Sequence, residues 1–414
     1  MTSTEPSISN HDRTTLRDLA KRVAEIASLP TMQERRDMWT RHNSLERVRP
    51  MILVFPEGSW EELLPQSSLV CEGEATRAME WNLRARIYTY EHFDDDTVCE
   101  GRWIVRRRIT DTGWGLQARQ TDSTMERGSW AFDPVIRGWD DLEKLRMPEV
   151  IVDDDGSTRD LEIAHELFGD ILQVVQKGIA HISFHMMNVY TKLRGLEQVM
   201  VDMVEQPEMV HAAMSLLTEG HRQLVAQYQA MNLLSLNNDE TYCSTGGNGY
   251  TRDLPAPGFD PDRVRPCDMW ASAETQEFAV VSPRMHEEFA WQYERTLLEP
   301  FGLTGYGCCD PLHDKLHLVF SLPSMRRISV APLADVIKCA EGIGTKAIFS
   351  WKPQPSHLVG EFDPSFIEKY IRSTLDVTRD CVIEMVLKDT HTCEHEPERF
   401  TEWTRVAKRL AEQY

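Results

Sequence analysis

Apolar and polar positions follow one rhythm along most of the chain. From residue 182 onward, short continuous apolar runs alternate with stretches in which apolar residues recur every three to four positions, the pattern of doubly buried strands exchanging with amphipathic helices. Strands are predicted over 182–186, 233–236, 269–273, 303–307, 328–331, 347–351 and 382–387, and the run Met51-Ile-Leu-Val-Phe55 supplies an eighth. Helices are predicted over 195–205, 208–231, 282–298, 335–341, 364–379 and 397–412. Two of these begin with Ser282-Pro283 and Asp363-Pro364, a capping side chain before a proline at the first helical position. Eight strands alternating with helices predict an α/β fold with right-handed crossovers closing into a parallel (β/α)8 barrel; an open doubly wound sheet is the alternative.

Two sections depart from that rhythm. Between residues 14 and 43, Leu16, Leu19, Val23 and Ile26, then Met38 and Trp39, fall at helical spacing, and Pro30 divides them into two helices. This makes residues 1–48 an N-terminal helical extension capping a barrel over 49–414, with the polar residues 1–10 expected to be disordered. Residues 56–150 form an insertion or small subdomain, a candidate lid. There the period-two segments 102–109 and 114–119 flank Asp111-Thr-Gly113, which predicts an antiparallel β-hairpin.

Composition narrows the partners. With 41% apolar residues in 414, the chain buries a sizeable core. Its net charge of -21 argues against nucleic acid or an anionic membrane, which require clustered cations; Arg106-Arg-Arg108 sits in strand-like sequence and reads as a solvated face. There is no run of about 18 apolar residues and no signal segment, so a soluble chain is expected. Nine scattered cysteines, an odd number, do not make a disulfide framework, and the expected compartment is the reducing cytoplasm.

In a parallel barrel, reactive side chains sit where strands end and the following loops begin. The runs Leu303-Thr-Gly-Tyr-Gly-Cys-Cys-Asp310 and Glu384-Met-Val-Leu-Lys-Asp-Thr-His-Thr-Cys393 both deliver thiols to such ends. Cys308 and Cys393 are therefore candidate metal ligands, with Cys309 as the substitute for Cys308, because soft metals take deprotonated sulfur, imidazole or carboxylate. Cys71, Cys99, Cys267, Cys339 and Cys381 read as packing residues. His185, Asp239 and His391 are candidate catalytic groups at strand ends, and so is Lys352 in Ser350-Trp-Lys-Pro-Gln-Pro355. Asn237 and Trp351 are candidate substrate contacts, and the glycine-rich Ser244-Thr-Gly-Gly-Asn-Gly249 permits close backbone approach to a ligand without matching a phosphate-binding spacing.

Three stretches, 193–210, Ser282-Pro-Arg-Met-His-Glu-Glu-Phe289 and Lys388-Asp-Thr-His-Thr-Cys-Glu-His-Glu-Pro-Glu-Arg399, resemble the uroporphyrinogen decarboxylase superfamily, from about residue 160 to the C-terminus. The resemblance implies a TIM barrel. It extends to the branch of zinc-dependent methyltransferases that serve corrinoid proteins, where His-x-Cys at a strand end is joined by a late Cys. Here Tyr306-Gly-Cys308 and Cys393 follow that spacing, but Tyr306 stands where His is usual. Glu274 is then the preferred third ligand beside Cys308 and Cys393, with His391 the next candidate, and Tyr306 becomes a substrate contact unless it is itself the ligand. The decarboxylases carry a basic Met-Arg-Gln-Ala-Gly-Arg motif; the corresponding Phe55-Pro-Glu-Gly-Ser-Trp-Glu-Glu62 is acidic where a polycarboxylate substrate needs bases.

The activity so implied is transfer of a methyl group from a small donor, such as a methoxylated aromatic, to a cobamide on a separate corrinoid protein. Zn2+ on the chain itself would stabilise the leaving oxygen as a Lewis acid. A homodimer is one expectation for the assembly. The alternative activity is a metal-free decarboxylase of an aromatic or tetrapyrrole acid, in which Asp239, His185 and Lys352 stabilise a protonated ring.

Overall fold

The structure, a computed structural model, describes residues 8–121, 131–243 and 246–414. The expectations for residues 1–7 and for Ser244 and Thr245 lie outside these.

Seven apolar runs join one parallel sheet, in the order Met51–Val54, Val382–Leu387, Ile348–Trp351, Met325–Val330, Leu303–Tyr306, Trp270–Ala273 and Ser183–Phe184. Sequential strands are neighbours and the first pairs with the last, which is the cyclic order of a TIM-type barrel. The expected strand at 233–236 is reduced to one bridge, Leu234 with Ile179. The Asn237 amide extends that line in place of backbone, donating to Ala180 O (2.8 Å) and Trp270 O (2.9 Å) and accepting from Trp270 N (2.9 Å).

No ladder joins Met51–Val54 to Ser183–Phe184 among the described residues, so the ring is left with a seam. An unpaired strand edge exposes backbone donors that need acceptors. Here Asp96 accepts from Ile52 N (2.8 Å) and Asp95 from Val54 N (2.9 Å). Two carboxylates stand in for a missing strand.

The predicted hairpin does not form. Arg102–Arg106 pairs in parallel with Gln173–Lys177, and Arg108–Asp111 pairs antiparallel with Val150–Asp153. Alternation fixed strand character but not the partner, and the chain beyond the Asp111–Gly113 turn is drawn away by Trp114, whose ring packs on Gly220 and His221 of the helix Pro207–Ala230.

The N-terminal helices form as Asn10–Ala27 and Pro30–Asn43. Ser9 caps the first by accepting from Asp12 N (3.0 Å), and its buried stripe of Leu16, Ala20, Val23 and Ile26 meets Leu83, Leu167 and Phe168. The second ends inside the barrel, where Trp39, His42 and Asn43 are buried.

Each strand residue faces either the helices or the lumen. Tyr306, Ile328, Phe349, Trp351, Met385 and Leu387 join the large core beneath the helices. Trp270, Leu303, Ile348 and Val382 form an apolar floor in the lumen. Above that floor Arg327 and Glu384, both 0% exposed, pair with Nε to Oε1 at 3.1 Å. Arg327 also donates to Asn43 Oδ1 (2.7 Å), and its guanidinium lies 5.0 Å from the Trp270 ring centroid. The backbone at Gly247 passes so close to Arg327 that any Cβ there would clash, which accounts for a glycine at that position. The lumen is thus filled by the chain's own loop, helix end and ion pair.

Candidate active site at the barrel mouth

Above the ion pair, the inward positions at the carboxyl ends of the strands are polar. Lys352 donates to Ser350 Oγ (2.6 Å), and Ser350 donates to Glu384 Oε1 (2.5 Å), so one hydrogen-bonded chain links rim to interior. Burial lowers the Lys352 pKa to about 7. Lys388, at the end of Val382–Leu387, stays firmly charged: burial opposes this, but Tyr242, Cys308, Asp389 and Glu57 around it outweigh burial. Its ammonium lies 3.5 Å from Asp389 and 4.0 Å from Glu57.

Across the mouth, His185 Nδ1 hydrogen-bonds Glu274 Oε1. The Glu274 side chain is 3% exposed and the His185 ring 43%, so a buried carboxylate orients an accessible imidazole. Burial alone would lower the imidazole pKa, but the Glu274 bond and charge, aided by Glu294 and Glu277, raise it. Glu274 also bears on the neighbouring thiols of Cys308 and Cys309, whose sulfurs are 3.7 Å apart. Within that pair the Cys308 thiol is held protonated by its contact with Cys309 and by burial, against the pull of Lys388, and the contact moves the Cys309 thiol down. The rim therefore offers an oriented acid, two thiols and the cation of Lys388.

Not every predicted residue reaches it. Cys393 is buried, and its thiol donates to Glu62 Oε2 (3.2 Å), an oxygen that also accepts from Cys393 N and His395 N, each at 3.0 Å. Burial would raise the Glu62 pKa, but Thr392, these amides and the thiol hold it at about 2. Burial and the Glu62 charge push Cys393 up to about 11. Among the described residues no three His, Cys, Asp or Glu side chains are gathered so as to hold a metal ion. The donor set Glu274, Cys308 and Cys393 does not fit a resident zinc here, because Glu274 is committed to His185 and Cys393 to Glu62.

Tyr306 is also corrected. It points outward, 0% exposed, donating to Glu294 Oε2 (2.6 Å) with His286 Nε2 at 2.8 Å. Trp351 faces the same helix layer and packs on Tyr370 at 5.2 Å between centroids. Neither can touch a substrate in the lumen. Asn237 serves the backbone as described, and Asp239 is taken up by Lys177 (2.5 Å) and Arg102 (3.3 Å) beside the seam. His185, Asp239 and Lys352, the decarboxylase trio, are thereby spread over rim, seam and lumen. His391 is exposed on the loop after the last strand, its backbone against Gly58.

The acidic stretch 55–62 is structural. Glu57 accepts from Asp389 N (2.7 Å) and Glu62 holds Cys393, which stitches the last loop to the first strand. Sequence reading passed over Lys388, Tyr242, Arg327 and Glu384. The available signal was a charge inside an otherwise apolar strand, as in Met325-Arg-Arg-Ile-Ser-Val330 and Val382-Ile-Glu-Met-Val-Leu387. Cys71, Cys99, Cys339 and Cys381 are buried and all cysteines are free thiols. No helix among the described residues is long and apolar enough to cross a membrane.

No family model matches the chain, and no curated protein matches it. Among solved structures it is similar to a methyltransferase from Methanosarcina mazei, at 12% identity and a TM-score of 0.51, with 90% of this chain and 97% of that chain covered. At that identity the likeness is one of fold, a TIM-barrel-like α/β architecture followed over nearly the whole of both chains.

Proposed function

We propose that this chain is a methyltransferase whose reaction takes place at the barrel mouth, where His185 acts as the general acid. The observation that carries the reading is the His185–Glu274 pair beside Cys308 and Cys309, on a fold similar to that of a methyltransferase. A methyl ether releases its methyl group only when the departing oxygen is stabilised. A protonated imidazole supplies that by giving its proton to the oxygen as the C–O bond breaks and the acceptor bonds the carbon. Glu274 stabilises the imidazolium, and Lys388 favours an anionic substrate at the same rim. The donor in this reading is a small methoxylated aromatic, and the acceptor is a cobamide on a separate corrinoid protein.

No step is assigned to zinc, given the commitments of Glu274 and Cys393. The test is incubation of the purified chain with methoxybenzoates and a reduced corrinoid protein, following phenol release and the corrinoid spectrum. Stoichiometric release that disappears in His185→Gln supports the proposal. Release that persists in His185→Gln removes the assigned acid, and methyl transfer that requires stoichiometric zinc overturns the metal-free route.

A further inference from the structure

The seam carries a second site. A cavity of about 640 Å³ opens where the first and second barrel strands fail to pair, walled by Arg102, Ile104, Arg106, Lys177, Glu240 and Tyr242. That volume lies within the range of small-molecule sites, about 300–1,000 Å³.

Its charges do not cancel. Lys177 is held by Asp239 (2.5 Å) and Thr241 (3.1 Å). Arg102 Nη2 reaches Glu240 and Asp239, while its Nε is buried without any hydrogen-bond partner. Glu100, also in the wall, is already claimed by Arg36 (2.9 Å) and Tyr250 (2.5 Å). Arg86 spends its guanidinium on the carbonyls of Arg102 and Glu100. Arg106 is exposed and has no hydrogen-bond or ion-pair partner among the described residues. The wall thus holds a buried donor without an acceptor and a guanidinium without a counter-ion, next to apolar surface from Val98, Ile104 and the Tyr242 ring.

We propose that the seam cavity binds a small organic carboxylate with a flat apolar body, its carboxylate on the Arg106 guanidinium at the Arg102 side of the cavity and its body against Ile104 and Tyr242. A carboxylate supplies acceptor oxygens and one negative charge, which is what the Arg106 guanidinium lacks. The single charge matches because the remaining cations are already paired. An inorganic polyanion would leave the apolar wall unused. Tyr242 is the partition between this cavity and the mouth, since its ring meets Phe55 at 5.6 Å and its hydroxyl lies in the field of Lys388 and Cys308. The site is separate from the proposed methyl-transfer site and does not depend on that reading.

The test is isothermal titration calorimetry of the full chain with benzoate, benzamide and inorganic phosphate, read without turnover. Benzoate is expected to bind saturably, with benzamide and phosphate each at least about tenfold weaker. Arg106→Gln, an exposed substitution whose folding is checked by circular dichroism, lowers benzoate affinity about tenfold. Glu240→Gln raises it severalfold by releasing Arg102. Equal binding of benzoate and benzamide, phosphate binding as tight as benzoate, or unchanged affinity in Arg106→Gln would overturn the proposal.

Discussion

In the lumen, Arg327 and Glu384 are fully enclosed and paired in charge, with Asn43 on the arginine and Ser350 and His42 on the glutamate. A few residues above, His185 is 43% exposed with one ring nitrogen committed to Glu274, and in the neighbouring Cys308–Cys309 pair Cys309 is exposed. Both sets are ionisable groups on strands of the same sheet or just past their ends. The difference is closure: a charge whose partners are complete holds structure, and a charge with an unfilled side is available to a ligand.

The sharpest way to break that contrast is to open the closed set. Arg327→Met is expected to cost about 3–5 kcal/mol of stability, because it strands a buried carboxylate. Urea denaturation measures this, and the double substitution R327M/E384M recovers most of the loss. A single-mutant cost within about 0.5 kcal/mol would show the pair to be no more than a surface charge in effect. Two carboxylates, Glu384 in the lumen and Glu62 bonded to the last loop, set an acid limit. Burial alone would raise the Glu384 pKa, but Arg327, His42 and Lys352 hold it well below the ordinary carboxylate range, and Glu62 is held at about 2. A folded-state pKa below the unfolded one stabilises the protein above about pH 4.5, and the contribution is lost as pH falls toward the folded value. Urea midpoints from pH 7 down to pH 3 should therefore decline, and less steeply in Glu62→Gln.

Next in size is the open set. His185→Gln should reduce kcat by about 10²–10⁴-fold while leaving the urea midpoint near that of the parent chain. Because Glu274 raises the His185 pKa, the acid form persists above the usual value near 6.5, and activity falls on the alkaline side as the proton is lost. Glu274→Gln should shift that limb of the pH–rate profile to lower pH. A limb that stays in place would separate Glu274 from the acid's tuning.

Smaller effects separate scaffold from site. Tyr306→Phe should cost about 1–3 kcal/mol through the loss of a buried bond to Glu294, with kcat and KM unmoved. A change in KM would restore Tyr306 as a substrate contact. Cys393→Ser should cost only about 1 kcal/mol and leave metal content as it was. Stoichiometric zinc in the parent chain that is lost in this variant would overturn the structural role given to the Cys393 thiol.

Much of this was legible in the residues and some was not, for reasons visible at particular positions. Continuous apolar runs placed seven strands, six within one or two residues and Met325–Val330 with its start three residues late, and an asparagine side chain stood in for most of an eighth. The runs could not say which alternate residues face the lumen, because a strand buried on both faces carries no alternation: Leu303–Tyr306 and Ile348–Trp351 are buried at every position. Tyr306 and Trp351, expected as substrate contacts, face the helices instead. The same uncertainty hid Arg327 and Glu384, whose significance depends on their meeting each other.

By itself the sequence determined the rhythm of strands and helices, the caps that start helices at Ser282 and Asp363, and the location of Cys308, Lys352 and Lys388 at strand ends, since these follow from local backbone preference and burial period. Tertiary structure alone decided the pairing of Arg102–Arg106 with Gln173–Lys177, the capture of Cys393 by Glu62, the union of His185 with Glu274 across 89 residues, and the seam. Those are contacts between residues far apart in the chain. Their energies depend on geometry that only the packing of the whole chain supplies.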